Sequence, residues 1–148
     1  MIVYPAKFKR DKDGISVTFP GVPEAITCGH SEAQAVEYAV DALETIFSAY
    51  MKQRRDIPRP RPCVKGMRPI ALPTLTEAKI RLYEAMRQAG VRKADLARRM
   101  GWQKSQVDRL LDLRHRSRLD QIEGALAKLH KRLAMHVEDV PRALRAGV

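Results

Sequence analysis

Hydrophobic and polar residues alternate along the first twenty positions of the chain. One face of residues 2–9 carries Ile2, Tyr4, Ala6 and Phe8. Turn residues follow at 11–14, and the period of two then resumes with Ile15, Val17 and Phe19. An alternation interrupted by turn residues is typical of a β-hairpin. Residues 25–28, between a Pro-Gly-Val-Pro loop and Gly29, are predicted to form a third strand.

The period then changes to that of a helix. Ser31 and Gln34 have the spacing of a capping box, in which two side chains satisfy backbone N–H groups at a helix start. Behind them an apolar stripe marks one side of a long helix, formed by Val36, Val40, Leu43, Phe47 and Tyr50. Antiparallel strands followed by one long helix predict a small α+β domain.

Prolines mark the end of this first domain. Pro58, Pro60 and Pro62 stand at alternate positions, where each removes a backbone N–H and disfavours a helix at the preceding residue. The segment is therefore predicted to be an extended linker, and the first domain is assigned to residues 1–62. Residues 67–72 are a candidate for one further strand of that domain, on the far side of the linker.

From residue 74 onward the pattern is helical. Thr74 and Glu77 form a second capping box, and an apolar stripe follows at Leu75, Ala78, Leu82, Met86 and Ala89, ahead of a stop at Gly90. Ser117 and Asp120 are predicted to open a last helix, so residues 74–137 are interpreted as an all-α domain of at least four helices. The alternation at residues 133–137 predicts a short strand, and residues 138–148 are expected to be a frayed tail.

The stretch DLARRMGWQKSQVDRLLDL, residues 95–113, predicts two short helices that pack across a tight turn at Gly101. This is the pattern of a helix-turn-helix, although an ordinary pair of helices with a solvated polar face gives the same pattern. Trp102, in the turn, is interpreted as a packing residue. The second helix directs away from its apolar side a set of groups able to bind phosphates or base edges: Lys104, Ser105, Gln106 and Arg109.

Charge favours a polyanionic partner. The 148 residues have a formal net charge of +11. Residues 1–50 carry 4 Lys/Arg and 7 Asp/Glu, whereas residues 74–148 carry 17 and 9, so the basic character lies behind residue 50. The two cysteines lack the spacing of a zinc site and are expected to be free thiols in a reducing cytoplasm. No apolar run approaches the length of a membrane span, and MIVYPAKFKR lacks the apolar core of a secretory signal.

Two segments resemble known families. The segment TEAKIRLYEAM…KADLARRMGWQKSQVDRLLDLRHRSRLDQIEGALAKL resembles the repressor and Cro-like helix-turn-helix family, including its Leu-Ala followed by a Gly turn. The segment YPAKF…DGISVTFPGVPEAITCGHSEAQAVEYAVDALE resembles the N-terminal domain of HicB antitoxins in its Phe-Pro, its Pro-Glu-Ala loop and the Gly before the helix. Together the two resemblances cover the chain up to about residue 137, and one subgroup of HicB antitoxins combines such domains.

The combined resemblance implies an antitoxin of a type II toxin–antitoxin system. Its first half would be an incomplete ribonuclease-H-like fold that binds and blocks a HicA-like, mRNA-cleaving toxin, and its second half would bind operator DNA and repress the operon. The family match assigns base contacts to Lys104, Ser105, Gln106 and Arg109, and position favours phosphate contacts for Lys93, Arg114 and Arg116. Repressor domains of this kind commonly dimerise, and residues 133–137 could pair across a homodimer.

The pattern leaves the toxin-contact residues undetermined and favours no catalytic, metal or cofactor site. The acidic first half would be complementary to a basic, RNA-binding toxin. The carboxylates Glu37, Asp41 and Glu44 share a helical face opposite the apolar stripe, which favours a solvated face over the metal-binding cluster that a ribonuclease needs. An alternative function remains open, namely a stand-alone helix-turn-helix repressor whose first half senses a small ligand.

Overall fold

The computed structural model of the chain describes residues 1–147, with side chains up to residue 145, and contains two compact units. The first unit is Met1–Leu72 with the segment from Glu138 onward, and the second is Pro73–Val137. The first unit contains strands β1 (Val3–Asp11), β2 (Gly14–Thr18), β3 (Ile26–Gly29) and β4 (Arg68–Ala71) and helix α1 (Glu32–Lys52). The second contains helices α2 (Thr74–Gln88), α3 (Lys93–Met100), α4 (Lys104–Leu111) and α5 (Leu119–Ala127). The fold is therefore mixed α+β.

The four strands form one antiparallel sheet in the order β3-β2-β1-β4. The predicted hairpin is confirmed, with Phe8 opposite Val17, and the candidate strand at 67–72 is present as β4, with Ile70 opposite Tyr4. Side chains of one sheet face pack beneath α1, where the rings of Tyr4 and Phe47 lie 5.1 Å apart. The sheet face that carries the predicted apolar alternation is thus the core of this unit.

The proline-rich segment connects α1 to β4, and both of these elements belong to the first unit. Ile57 is buried, and the hydroxyl of Tyr4 donates a hydrogen bond of 2.6 Å to the carbonyl of Pro58. The segment has no helix or strand from Asp56 to Val64, as the spacing of its prolines predicts. Its basic side chains consequently belong to the first unit, which carries 11 Lys/Arg and 8 Asp/Glu over residues 1–72. The acidic character expected for the toxin-binding half is therefore wrong for the complete unit.

Helix α1 confirms half of its predicted cap and the later part of its predicted buried stripe, where Leu43, Phe47 and Tyr50 are buried. The first part of the stripe is shifted by one position. Ser31 is the N-cap and accepts the N–H of Gln34 at 3.2 Å, while the carboxamide oxygen of Gln34 accepts from His30 instead of Ser31. The fully buried residues near the helix start are Ala35 and Ala39, whereas the predicted Val36 and Val40 are half-buried. Alanine lets the helix approach the sheet closely, and that closeness displaces the larger valines to the edge.

Two other predicted caps are wrong. Helix α2 begins at Thr74 with Pro73 as its N-cap, and no side chain caps it. Helix α5 begins at Leu119 with Arg118 as its N-cap, because the hydroxyl of Ser117 instead donates to the carbonyl of Arg109 at 3.3 Å. In both cases two residues have the spacing of a capping box in the sequence, but they do not form the hydrogen bonds of a capping box.

The strand predicted at 133–137 is absent. Residues 131–141 form no helix or strand, and Met135 and Val137 are 66% and 103% exposed. A strand requires a second strand to receive its backbone hydrogen bonds, and the described part of this chain offers none beside this segment. The expected frayed tail also differs, because Arg142–Gly147 forms a 3₁₀ helix in contact with β4. Val148 lies outside the described residues.

Candidate nucleic-acid interface

Helices α3 and α4 are joined by a turn of three residues. Gly101 ends α3 with a φ of +68°, in the left-handed region that glycine enters without strain, and the N–H of Trp102 donates to the carbonyl of Ala97 at 2.9 Å. Of the apolar positions predicted on the two helices, Met100 is half-buried and the others are buried: Leu96, Ala97, Val107, Leu110 and Leu111. Trp102 is half-buried beside them. The opposite side of α4 is consequently left to polar residues.

The start of α4 is held by two glutamines that cap it reciprocally. Gln103 is the N-cap, its side chain accepts from the backbone N–H of Gln106, and the carboxamide oxygen of Gln106 accepts the N–H of Gln103 at 2.9 Å. Paired recognition of adenine uses both the oxygen and the nitrogen of a glutamine amide. Since the cap occupies the oxygen of Gln106, only its nitrogen is available for a base while the cap is closed.

Three other predicted base-contacting residues lie on the outside of α4. Lys104, Ser105 and Arg109 are exposed, and the guanidinium Nε of Arg109 donates to the carbonyl of Ser105 at 3.4 Å. Residues four apart share one helical face, so Ser105 and Arg109 lie along the same line. This face combines an ammonium, a hydroxyl and a guanidinium, which are groups able to bind both phosphate oxygens and purine edges.

The predicted phosphate-contacting residues lie at two places around α4. Lys93 is the first residue of α3, and its Nζ lies 2.7 Å from Oδ1 of Asp108 on α4. Both side chains of this ion pair are more than two fifths exposed, so its contribution to stability is about 0–1 kcal/mol. Arg114 and Arg116 are exposed in the loop between α4 and α5, where the N–H of Arg114 donates to Oδ1 of Asp112 at 3.0 Å. The loop thus presents two cations at the carboxyl end of α4.

The start of α3 is anchored by a carboxylate. Oδ2 of Asp95 accepts the backbone N–H of Arg92 at 3.0 Å, and this bond holds the pKa of the Asp95 carboxyl below its ordinary value, with a further lowering from Arg98. A negative charge in the first turn also interacts favourably with the helix dipole. Even with such acidic groups counted, residues 73–137 are strongly basic, because they contain 15 Lys/Arg and 7 Asp/Glu.

Lys79, which the sequence pattern did not single out, is 0% exposed. Its Nζ donates to the carbonyl oxygens of Arg109, Asp112 and His115, the last at 2.6 Å. A signal for this burial is present in the sequence, because Lys79 lies three residues before Leu82 and seven before Met86, on the apolar side of α2. A lysine in that stripe is buried only when its ammonium is hydrogen-bonded.

Comparison with known proteins decides the family. A sequence profile described as the HicB-like antitoxin of bacterial toxin–antitoxin systems matches residues 3–81, more than half of the chain.

The chain belongs to the HicB-like antitoxin family.

Full-length relatives extend this similarity through the second unit. Antitoxin HicB 2 of Photorhabdus laumondii is 38% identical over 132 residues, which are 89% of this chain and 94% of the relative. Antitoxin HicB of Pseudomonas fluorescens is 35% identical over 139 residues, covering 93% and 95% of the two chains. Antitoxin HicB of Escherichia coli K12 is 35% identical over 122 residues, covering 82% and 88%. The family relation therefore includes the α3–α4 pair as well as the sheet.

Within the family-matched first unit, charged residues of the strands, of the start of α1 and of the neighbouring loops form ion pairs. Glu32 lies 3.5 Å from both Arg10 and Arg68, and Glu24 lies 3.8 Å from Arg55. The hydrogen bond from Tyr50 holds the pKa of the Glu24 carboxyl below its ordinary value, while burial raises the pKa of the Tyr50 hydroxyl. The predicted solvated face of α1 has Glu37 and Asp41 exposed and Glu44 half-buried.

Metal-binding clusters and membrane-spanning helices are both absent from the described residues, 1–147. No three His, Cys, Asp or Glu side chains in that range come together in an arrangement able to hold a metal ion. Within the same range, no helix has the length and apolar character needed to cross a membrane.

Proposed function

We propose that this protein is the antitoxin of a type II toxin–antitoxin pair and has no enzymatic activity of its own. In this proposal the first unit, an incomplete ribonuclease-H-like fold, binds and blocks a HicA-like toxin that cleaves mRNA in the cytoplasm. The second unit is a helix-turn-helix domain that represses the operon encoding both proteins. The observation that carries the proposal is the family match to HicB-like antitoxins, with relatives that cover more than four fifths of the chain.

For DNA binding we propose that α4 is the recognition helix. Lys104, Ser105 and Arg109 would contact base edges, with Gln106 contributing its amide nitrogen or acting through its cap. Lys93, Arg114 and Arg116 would contact phosphates and set the position of the helix in the major groove. The support for this assignment is the tight turn at Gly101, the exposed polar side of α4 and the excess of basic residues in the second unit.

The toxin–antitoxin proposal is tested by co-expressing the short reading frame adjacent to this gene with the tagged full-length chain. We expect the two proteins to co-purify, and we expect the chain to suppress mRNA cleavage by the neighbouring protein. Operator binding is tested in parallel by titrating DNA from the operon's own promoter against a scrambled duplex. Operator binding without any capture of the neighbouring protein would instead support a stand-alone repressor with a ligand-sensing first half.

We further propose that the chain acts as a homodimer in which residues 133–137 of two copies pair as strands. The alternation of Leu133, Met135 and Val137 suits a strand, and the last two side chains are exposed in one copy of the chain. Two-fold pairing would place two recognition helices on half-sites about 34 Å apart, one turn of DNA. In a dimer, a second copy supplies the neighbouring strand that pairing of this segment requires.

If the chain dimerises in this way, the double variant Met135→Glu with Val137→Glu should be a monomer. We expect its mass in analytical ultracentrifugation to fall from that of two chains to that of one, 16.8 kDa, because the charges repel across the paired strands. Ile26→Glu is the matched control, since Ile26 is as exposed as Met135 and lies in the other unit. A double variant that sediments like the parent contradicts pairing through this segment.

A further inference from the structure

Helix α2 carries a charged side chain on its buried face. Lys79 is 0% exposed and lies among buried residues that include Ala78, Ile80 and Leu82. Placing an ammonium ion in such surroundings costs several kcal/mol unless its N–H groups are hydrogen-bonded. An apolar residue of the same length would fill this space without that cost. The presence of a lysine at this position is therefore explained by the backbone groups that its ammonium binds.

The ammonium of Lys79 lies against the carboxyl end of α4. Its Nζ donates to the carbonyl oxygen of Arg109 at 3.4 Å, to that of His115 at 2.6 Å and to that of Asp112. An ammonium has three N–H donors, and a carbonyl oxygen has two lone pairs. Each of the three carbonyls can therefore accept from Lys79 in addition to the backbone N–H of Asp112, His115 or Ser117 that it already accepts. The positive charge also faces the negative end of the α4 dipole. Donor number, position and sign thus all suit a cap on this helix.

The same contacts extend beyond α4 into the loop that follows it. Asp112 is the C-cap of α4 and His115 lies three residues later, so one ammonium connects the helix to its loop. The hydroxyl of Ser117 also donates to the carbonyl of Arg109 at 3.3 Å. Arg114 and Arg116 are part of this loop, and their exposed side chains therefore project from a backbone that Lys79 fixes.

We infer that Lys79 is a positioning residue for DNA recognition, which fixes the direction of α4 and the place of its phosphate-contacting loop relative to α2. This inference rests on the proposed operator-binding function of the second unit. It assigns to a buried residue control over two measurable properties of DNA binding. These are the preference for operator over random DNA and the number of phosphate contacts, which the salt dependence of binding reports.

The burial of the ammonium is tested first, without DNA. In brief acylation of the native full-length chain followed by mass spectrometry, Lys79 is expected to react at least about tenfold more slowly than exposed Lys104, because its reaction requires the unit to open. Equal rates of acylation at Lys79 and Lys104 would overturn the inference, since a freely accessible ammonium cannot hold the three carbonyls.

The positioning role is tested with Lys79→Met, which keeps the length of the side chain and removes its donors. At a temperature where circular dichroism shows the variant folded, we expect its operator affinity to fall about tenfold more than its affinity for random DNA. We also expect the salt slope to decrease by about one to two, as phosphate contacts from the loop are lost. Lys128→Met is the control, because it removes one exposed lysine from the same unit.

The outcomes separate this inference from the function on which it rests. If the parent chain binds no operator DNA, the DNA-binding proposal is refuted. The protection of Lys79 from acylation is measured without DNA and does not depend on that proposal. A folded Lys79→Met variant with unchanged preference and unchanged salt slope overturns the inference alone. A merely structural role would lower the folded fraction and reduce both affinities equally, with the salt slope unchanged.

If Lys79→Met does not fold, Ser117→Ala decides the question. This variant removes a different donor from the same Arg109 carbonyl, and Ser117 is half-buried. Faster amide exchange at residues 113–117 together with a reduced salt slope is then expected, and an unchanged loop and slope would refute the positioning role.

Discussion

Replacing Gly29 by alanine is expected to destabilise the first unit strongly and to weaken toxin capture. A Cβ at this position would lie 2.5 Å from the backbone nitrogen of Ala35 and 2.7 Å from its Cα. Both atoms belong to the backbone of α1, so no side-chain rotation relieves the contact, and the helix must move away from β3. Overpacking of this kind costs about 1–3 kcal/mol and occasionally more. In a unit of this size each kcal/mol lowers the melting temperature by about 4–8 °C.

A second glycine of the same unit provides the control for Gly29→Ala. A Cβ on Gly21 would meet its nearest neighbour, the side chain of Arg61, at 3.7 Å, an ordinary van der Waals distance. We expect Gly21→Ala to melt within a few degrees of the parent in differential scanning calorimetry. The comparison removes the general effect of adding a methyl group in place of glycine. Equal melting temperatures for Gly29→Ala and the parent would show that α1 is not held against β3 at this distance.

Toxin capture and operator binding are expected to respond differently to Gly29→Ala. In the proposed division of labour, capture of the neighbouring toxin depends on the sheet and α1, whereas DNA binding depends on α3 and α4. Pull-down of the toxin should therefore weaken, with half-saturation at a higher antitoxin concentration, while titration of operator DNA changes less. Loss of operator binding with intact toxin capture would reverse the assigned roles of the two units.

The alternation of apolar residues predicted the sheet well because each strand buries one face only. Ile15 and Val17 are buried, while the intervening Ser16 is half-buried, as a period of two requires. The candidate strand at residues 67–72 is observed as β4, which carries a proline at position 69. Pro69 is tolerated at the sheet edge, where its missing N–H faces no neighbouring strand.

The details of helix ends could not be predicted from spacing. Thr74 and Glu77 have the spacing of a capping box, yet the helix begins at Thr74 itself and Pro73 precedes it. Proline is favoured near helix starts because it has no N–H to satisfy, and a sequence that contains both signals leaves the choice to the surrounding packing. The predicted cap at Ser117 failed for a tertiary reason, since its hydroxyl is used by the carbonyl of Arg109.

The outline of the candidate DNA interface was predictable, and the state of its side chains was not. The turn at Gly101 and the exposed side of α4 follow from local pattern. The oxygen of Gln106 is used in a local cap with Gln103, three positions away, and the spacing alone does not tell this cap from a side chain free to contact a base. The burial of Lys79 beneath the end of α4 joins residues 30 or more positions apart, so it depends on the folded chain.

Because Gln106 caps α4, a substitution of Gln106 is not the best test of DNA recognition by this helix. Gln106→Ala removes a helix cap as well as a candidate base contact, and the loss of a cap by itself costs about 0.5–2 kcal/mol. Lys104 and Arg109 are exposed and take no part in that cap. A double variant of these two residues therefore separates recognition from stability, and it is expected to melt close to the parent.

For Lys104→Ala combined with Arg109→Ala, we expect operator binding to weaken by about 1–3 kcal/mol for each lost base contact, as measured by fluorescence anisotropy at fixed salt. Arginine and lysine bind the O6 and N7 atoms of guanine, so the preference at one or two base pairs should relax in a substitution series across the operator. Random DNA should lose less affinity, because only the general attraction of two positive charges to phosphates disappears.

The matched control for that double variant is Lys128→Ala with Arg132→Ala, which removes two exposed basic residues from the same unit without touching α4. If α4 reads the operator, the control pair should reduce binding to operator and random DNA by similar factors, and both double variants should still neutralise the toxin in a growth assay. If the two double variants weaken operator binding equally, the exposed side of α4 contributes only charge. Recognition would then have to come from another surface of the second unit.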